Sequence, residues 1–229
     1  MTVTTIILSH YKEREDNLNL MVNKLLQGTV TPGKILIFID NPDIVFEDER
    51  VIIVRSNRPF LPVVRFALGT ISGSDFCFFL DDDLSVGPKT LENFVINEIR
   101  LPESILGLEG STLSNTAEPY TKDIPVKRGL HDSPVPVDVV IRTYFVPTQL
   151  LTAGLLLQEM YPDLPRKSLD DVFLCLGNKY LNGNSNYVIS ATGESDLIEL
   201  PDGGVGQSHS GDHYINRNLV CRELMNIYE

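Results

Sequence analysis

The sequence predicts an α/β domain, a mostly parallel sheet flanked by helices. Two observations carry that expectation. Short apolar, β-branched runs alternate with segments of helical period from the first residues onward. Polar or acidic residues also gather directly behind each run. Strand–helix alternation implies right-handed β-α-β crossovers, and therefore strands that point the same way. In such sheets ligands sit beyond the carboxyl ends of the strands. Ser9 to Tyr11, Asp40, Asn57 with Arg58, and an acid triplet at 81–83 all fall there.

VTTIILS (3–9) is apolar and β-branched, as a buried strand requires. EDNLNLMVNKLLQG places Leu18, Met21, Val22 and Leu25 at helical spacing, with Gly28 as a stop. KILIFID (34–40) and VIIVRS (51–56) read as the second and third strands. PVVRFALGTISG reads as a helix with Val64, Ala67, Leu68 and Ile71 on one face, ended by Gly73, and FCFFLD (76–81) as the fourth strand. The second half is less regular. ILGLEGS (105–111) and VDVVIRTYFV (137–146) each read as one strand, and 114–136 as a long polar excursion, functional or partly disordered. PTQLLTAGLLLQ opens a helix with Pro147 in its first turn, and SLDDVFLCLGNKY forms another. Residues 201–211 are Gly-rich and expected to be mobile, and the tail from Asp212 is a last helix. No repeat or low-complexity tract divides the chain, so 1–229 is read as one domain.

Acids outnumber Lys and Arg by 31 to 19, for a formal charge of -12, which argues against non-specific attraction of the whole surface to nucleic acid or anionic membrane. No apolar stretch approaches the ~18 residues that cross a bilayer, and no signal peptide is visible. Cys77, Cys175 and Cys221 are far apart and read as reduced, buried thiols of a cytoplasmic protein.

FCFFLDDDLSVGP raises the chemical question. Three consecutive carboxylates repel one another unless a cation, water or helix terminus shares their charge. On an extended strand Asp81 and Asp83 point one way and Asp82 the other. Two carboxylates on one side can hold Mg²⁺ or Mn²⁺, hard cations that take oxygen ligands and leave room for substrate phosphates. A solvated turn is the plainer use of the same residues.

The stretch NRPFLPVVRFALGTISGSDFCFFLDDDL resembles the donor-binding half of GT-A (Rossmann-like) glycosyltransferases. As in the family-2 group, an Arg-bearing helix leads through a small-residue turn into an apolar strand ending in Asp-x-Asp. Its NR-FLP element is also similar to the exostosin-type C-terminal catalytic domain. The resemblance covers residues 3–110 well and the rest loosely. It implies transfer of a sugar from a nucleoside diphosphate sugar, foremost a UDP-sugar, with 1–110 binding the donor and 111–229 forming the acceptor half and a closing segment. By the same resemblance Ser9, His10, Tyr11 and Asp40 lie against the base, while Asn57, Arg58 and Arg65 approach the nucleoside diphosphate. Asp81 and Asp82 fall among the nucleotide-sugar contacts. Asp83, with Asp81, binds Mn²⁺ or Mg²⁺.

SLDDVFLCLG carries two readings. Ser168 with Asp171 has the spacing of a capping box. It also resembles the Glu-Asp-x-x-Leu stretch of family-2 enzymes, which makes Asp171 the base beside Asp170. His209 or His213 in HSGDHYINR would complete the metal shell by resemblance, or merely decorate a helix capped by Asp212. Lys122, Lys127, Arg128 and Arg142 form either a basic patch for a phosphate-bearing acceptor, such as DNA with hydroxymethylated bases, or scattered charge. A saccharide or lipid-linked glycan is the alternative acceptor. A nucleotidyltransferase would share the β-α-β half, but SHYKERED lacks the Gly-rich phosphate loop such enzymes carry after the first strand. A non-catalytic nucleotide-sugar-binding module is the other rival.

Overall fold

The computed structural model describes residues 1–128, 131–193, 196–206 and 210–228. Its first half follows the apolar runs closely. β1 (Val3–Ser9), α1 (Glu15–Leu26), β2 (Lys34–Ile39), β3 (Ile52–Arg55), α2 (Val64–Ile71) and β4 (Phe76–Asp81) succeed one another in that order. β1 lies between β2 and β4, parallel to both, and β3 adds to β2 in parallel. After β4 come β5 (Leu84–Val86), α3 (Thr90–Arg100), β6 (Ile105–Gly107), β7 (Glu109–Ser111), β8 (Val126–Arg128), β9 (Val135–Val137) and β10 (Val139–Val140). β11 (Thr143–Pro147), α4 (Leu151–Met160), α5 (Asp170–Asn182), β12 (Asn186–Val188), β13 (Leu197–Glu199) and α6 (His213–Tyr228) complete the chain.

The central sheet has the order β3-β2-β1-β4-β11-β6-β12-β9. β11 and β9 run against their neighbours; the other pairs in the sheet are parallel. Both faces of β4 are covered, and its pleat shows how. Cys77 and Phe79 enter the layer containing Phe66, Leu151 and Phe173, while Phe78 and Leu80 enter the layer containing Leu18, Met21 and Phe94. Helices α2, α4 and α5 thus cover one face and α1 and α3 the other. This is the mostly parallel, helix-flanked architecture expected. All three cysteines are buried and unpaired. Among the described residues no helix is long and apolar enough to cross a membrane.

Several elements depart from expectation, each for a local reason. α2 is turned from its predicted face: it buries Arg65, Phe66, Leu68 and Gly69, and Ile71 is 78% exposed. A Cβ at Gly69 would sit 2.5 Å from Leu151 and 3.0 Å from Cys77, so the glycine side lies against α4 and β4. That close approach, with Arg65 drawn toward Asp81, decides the rotation in place of the apolar stripe. ILGLEGS divides into β6 in the central sheet and β7 in a smaller sheet of order β10-β7-β8. VDVVIRTYFV divides likewise into β10 and β11, with Arg142 at φ 64° between them. The excursion 114–136 contains β8 and part of β9, and buries Tyr120. Pro147 closes β11, and α4 begins only at Leu151.

Candidate functional site

Beyond the carboxyl ends of β1, β2 and β4 lies a cleft of about 1170 Å³, lined from both halves of the chain. The acid triplet forms part of its wall. Only Asp81 belongs to β4; Asp82 and Asp83 turn into β5, so strand alternation does not govern where they point. Asp81 Oδ1 accepts hydrogen bonds from both terminal nitrogens of Arg65, at 3.1 and 3.2 Å. Asp82, buried where Asp81 is only partly so, accepts from Arg14 Nη1 at 2.6 Å. Asp83 lies 3.1 Å from Arg14 Nη2 and 3.6 Å from Arg142 Nη2. Burial pushes Asp81 up to about 7 against the pull of Arg65, and Asp82 up to about 6 against that of Arg14. Charge in this corner is therefore held by arginines from three separate segments of the chain.

Arg65 also ties β4 to the far side of the cleft. Its Nη1 donates to the Tyr144 hydroxyl at 2.8 Å, and its Nε lies 3.3 Å from Asp170 Oδ2. Tyr144 donates onward to the same Asp170 oxygen at 2.9 Å. Among the described residues Asp170 Oδ1 has no hydrogen-bond partner. Asp171 is differently held. Arg217 of α6 grips both its oxygens, at 2.9 and 2.7 Å, and the Val172 amide donates to Oδ1 at 2.9 Å. The Arg217 guanidinium lies 4.4 Å from the centre of the Tyr120 ring. The capping box is absent: Ser168 sits at φ 58°, its hydroxyl has no partner, and α5 starts at Asp170.

At another part of the cleft His10 Nδ1 meets Asp40 Oδ1 at 2.8 Å, and the Phe60 amide donates to Asp40 Oδ2 at 2.7 Å. Tyr11 stands edge-on to His10, and Phe60 edge-on to Phe38. His10, Tyr11, Asp40 and Phe60 line the cleft; Ser9, Asn57 and Arg58 do not. Ser9 is buried beside β2, and Arg58 is exposed with its guanidinium over the Phe60 ring.

A strap closes one side. Leu200 N–H donates to Asp83 O at 2.8 Å, Asn17 Nδ2 to Pro201 O at 2.9 Å, and Arg14 Nε to Asp202 O at 3.1 Å. Arg142 pairs bidentately with Glu199 at 2.8 and 2.6 Å.

This architecture has known counterparts. Crystal structures of S. aureus TarS superpose on it. TarS 1–349 matches 87% of this chain and 60% of its own length, at 12% identity and a TM-score of 0.55. TarS 1–349 in complex with UDP-GlcNAc matches 100% of this chain and 65% of its own, at 14% identity and a TM-score of 0.62. A further TarS structure matches 88% of this chain and 37% of its own, at 13% identity and a TM-score of 0.56. The chain shares its fold with TarS. That is the GT-A fold expected from the sequence, and the chain spans under two thirds of the TarS chains it matches. No protein-family model matches the sequence, and no curated protein does.

For a divalent cation, the residues present offer one clear observation. Asp83 Oδ1 is buried without a hydrogen-bond donor and faces Arg142 Nη2 at 3.6 Å, an ion pair that a bound cation would displace. His213 lines the cleft with Nδ1 buried and unpartnered, and burial beside Arg217 lowers its pKa to about 4, so the ring is neutral. His209 lies outside the described residues. Among the described residues no three carboxylate, imidazole or thiolate groups already converge on one point. Of the basic residues noted in sequence, Lys122, Arg128 and Arg142 line the cleft and Lys127 does not.

The sequence reading missed Arg14, Tyr144 and Arg217, and valued Arg142 only as a surface cation. Arg142 did carry a signal, as a charge interrupting an apolar run. Arg14 and Arg217 lie in polar stretches where nothing separates a buried guanidinium from a solvated one.

Proposed function

We propose that this chain is a glycosyltransferase that moves a sugar from a nucleoside diphosphate sugar, foremost a UDP-sugar, to a hydroxyl-bearing acceptor. The observation that carries the reading is the acid triplet at the carboxyl edge of β4, walled by paired arginines, in one large cleft of a GT-A fold. TarS, which shares that fold, has been crystallised with UDP-GlcNAc. Residues 1–110 form the donor side and 111–229 the acceptor side.

Asp83 and Asp81 would hold Mn²⁺ or Mg²⁺, with the neutral His213 ring as a further ligand. When bound, the cation supplies charge neutralisation for the departing diphosphate. Arg65 orients Asp81 and Asp170 at once, and Tyr144 fixes the Asp170 carboxylate by donating to Oδ2. Asp170 Oδ1 remains to take the acceptor's proton, the role of a general base. Asp171, which the family resemblance favours for that role, has both oxygens on Arg217 and acts here by fixing the start of α5. A base in that position suits direct displacement, which inverts the anomeric configuration.

Calorimetry of the full chain with a panel of nucleotide sugars, with and without Mn²⁺, tests the reading. Cation-dependent binding of a UDP-sugar, followed by UDP release when an acceptor is supplied, is the expected result. Failure of every nucleoside diphosphate sugar to bind would overturn it.

A further inference from the structure

We infer that a second cavity, at the amino end of β4, binds an alkylammonium group against the carboxylate of Glu98. The cavity, of about 540 Å³, lies at the opposite edge of the sheet from the acid triplet, roughly 17 Å away along β4. Asp75, Glu98 and Glu103 line it, and among the described residues no lysine, arginine or histidine does. Acids at a surface are ordinarily solvated charge, so the grouping by itself implies no ligand. Two of the three fit that description. Asp75 is exposed and already has donors, the Thr2 amide at 2.6 Å and the Thr2 hydroxyl at 3.1 Å, with the Met1 ammonium at 3.7 Å. Glu103 is exposed as well.

Glu98 differs. It is 6% exposed on the buried face of α3, and it lines the cavity. The Glu103 amide donates to its carboxylate, yet Oε2 is buried with no hydrogen-bond partner. A buried polar atom without a partner is costly, and most such atoms in folded chains find one. The partner that relieves a carboxylate best is a donor carrying positive charge. The remaining wall selects the kind of cation. A hard divalent metal takes about six oxygens or more, and among the described residues no three acidic, imidazole or thiolate groups converge. Phe76, Pro102 and Pro147 instead set apolar surface in the same cavity, which suits a methylene stem behind a charged head. An ammonium on an alkyl chain has both parts, whether it belongs to a free polyamine or to a lysine side chain of a partner protein.

The test is calorimetry of the full chain at pH 8 with n-butylammonium, spermidine and N-acetyl-lysine methylamide, and with n-butanol as the uncharged control. The parent should bind n-butylammonium about 10-fold or more tightly than Glu98→Gln does, a variant that keeps the shape and one acceptor but loses the charge. n-Butanol should not distinguish the two chains. A second comparison needs no variant. Burial pushes the Glu98 pKa up to about 7, so a proton competes with the ammonium, and affinity should be full above that pH and fall on acidification to pH 5. The ammonium stays charged throughout, and Asp75, whose pKa its Thr2 donors lower, stays ionised. UDP affinity should be the same in both chains, because the donor cleft lies at the other edge of the sheet. Tighter binding of spermidine assigns the cavity to a free polyamine, and tighter binding of the lysine derivative assigns it to a protein side chain. Equal n-butylammonium binding by parent and Glu98→Gln, or an affinity that does not change between pH 8 and pH 5, overturns the inference. So does failure of every ammonium probe to bind, and none of these results bears on the glycosyltransferase reading.

Discussion

At the scale of single residues, two neighbouring acids have been given different work by their partners. Asp171 is locked to a buried guanidinium, and Asp170 keeps one oxygen unengaged. Asp171→Asn leaves Arg217 buried without its counter-charge and should destabilise the fold by about 3–5 kcal/mol, read by thermal or urea unfolding. Asp170→Asn keeps an acceptor for Tyr144 and leaves Arg65 its pair with Asp81, so it should destabilise the fold less than Asp171→Asn does. It should lower transfer about 10²–10⁴-fold with donor affinity retained. A pair of substitutions with those effects exchanged would return the base to Asp171. At the triplet, Asp83→Asn should remove the Mn²⁺-dependent part of nucleoside diphosphate binding. Asp82→Asn should act mainly on stability, through Arg14; calorimetry and melting curves separate the two. The acids of this site were legible in the sequence because they break an apolar run where a strand must end. Their arginine partners were not, since pairing across 68 residues, as between Arg14 and Asp82, leaves no local pattern.

Elements were legible where burial follows one period. β1, β2 and β4 are apolar on both faces, and a continuous hydrophobic run identifies them without reference to neighbours. α2 was misread in rotation because its contact is made by a glycine and a charged residue, which a hydrophobic stripe ignores. The division of 105–111 and 137–146 was hidden for a similar reason. A Cβ at Gly107 would lie 2.8 Å from Val140, and only the paired sheets reveal that approach. α3 makes a prediction of its own. Glu98 is buried on it with Oε2 unpartnered, and burial pushes its pKa from 4.5 up to about 7. The folded chain therefore binds more protons than the unfolded one between those values. The part of the stability that Glu98 sets should be constant below pH 4.5, fall as pH rises to about 7, and level off above it. Glu98→Gln should match the parent at pH 4 and exceed it by about 1–3 kcal/mol at pH 8, as melting curves across the range would show. A difference between Glu98→Gln and the parent that does not grow across that window would mean that water or a counter-charge reaches the carboxylate.

On the scale of the whole molecule, the cleft joins the first strand–helix unit to segments near the other end of the chain. The strap along 197–206 is fastened to residues of the first unit: Arg14 Nε reaches Asp202 O across 188 residues, and Asn17 reaches Pro201 across 184. Such contacts return nothing until very long loops have been closed, so they are expected to form late in folding. The parallel strands β2, β1 and β4, buried on both faces, have no such dependence on the strap. The chain should accordingly pass through a state in which the sheet is assembled and the cleft still lacks one wall. In the native protein the same order runs in reverse, because backbone ties made by a few hydrogen bonds open at lower free energy than a buried sheet. Amide hydrogen exchange should find Leu200 exchanging well before the amides of β1 and β4, and a nucleoside diphosphate should slow Leu200 selectively. Refolding followed by ligand binding should then lag refolding followed by circular dichroism, with the interval between them measuring how long the strap takes to find its place.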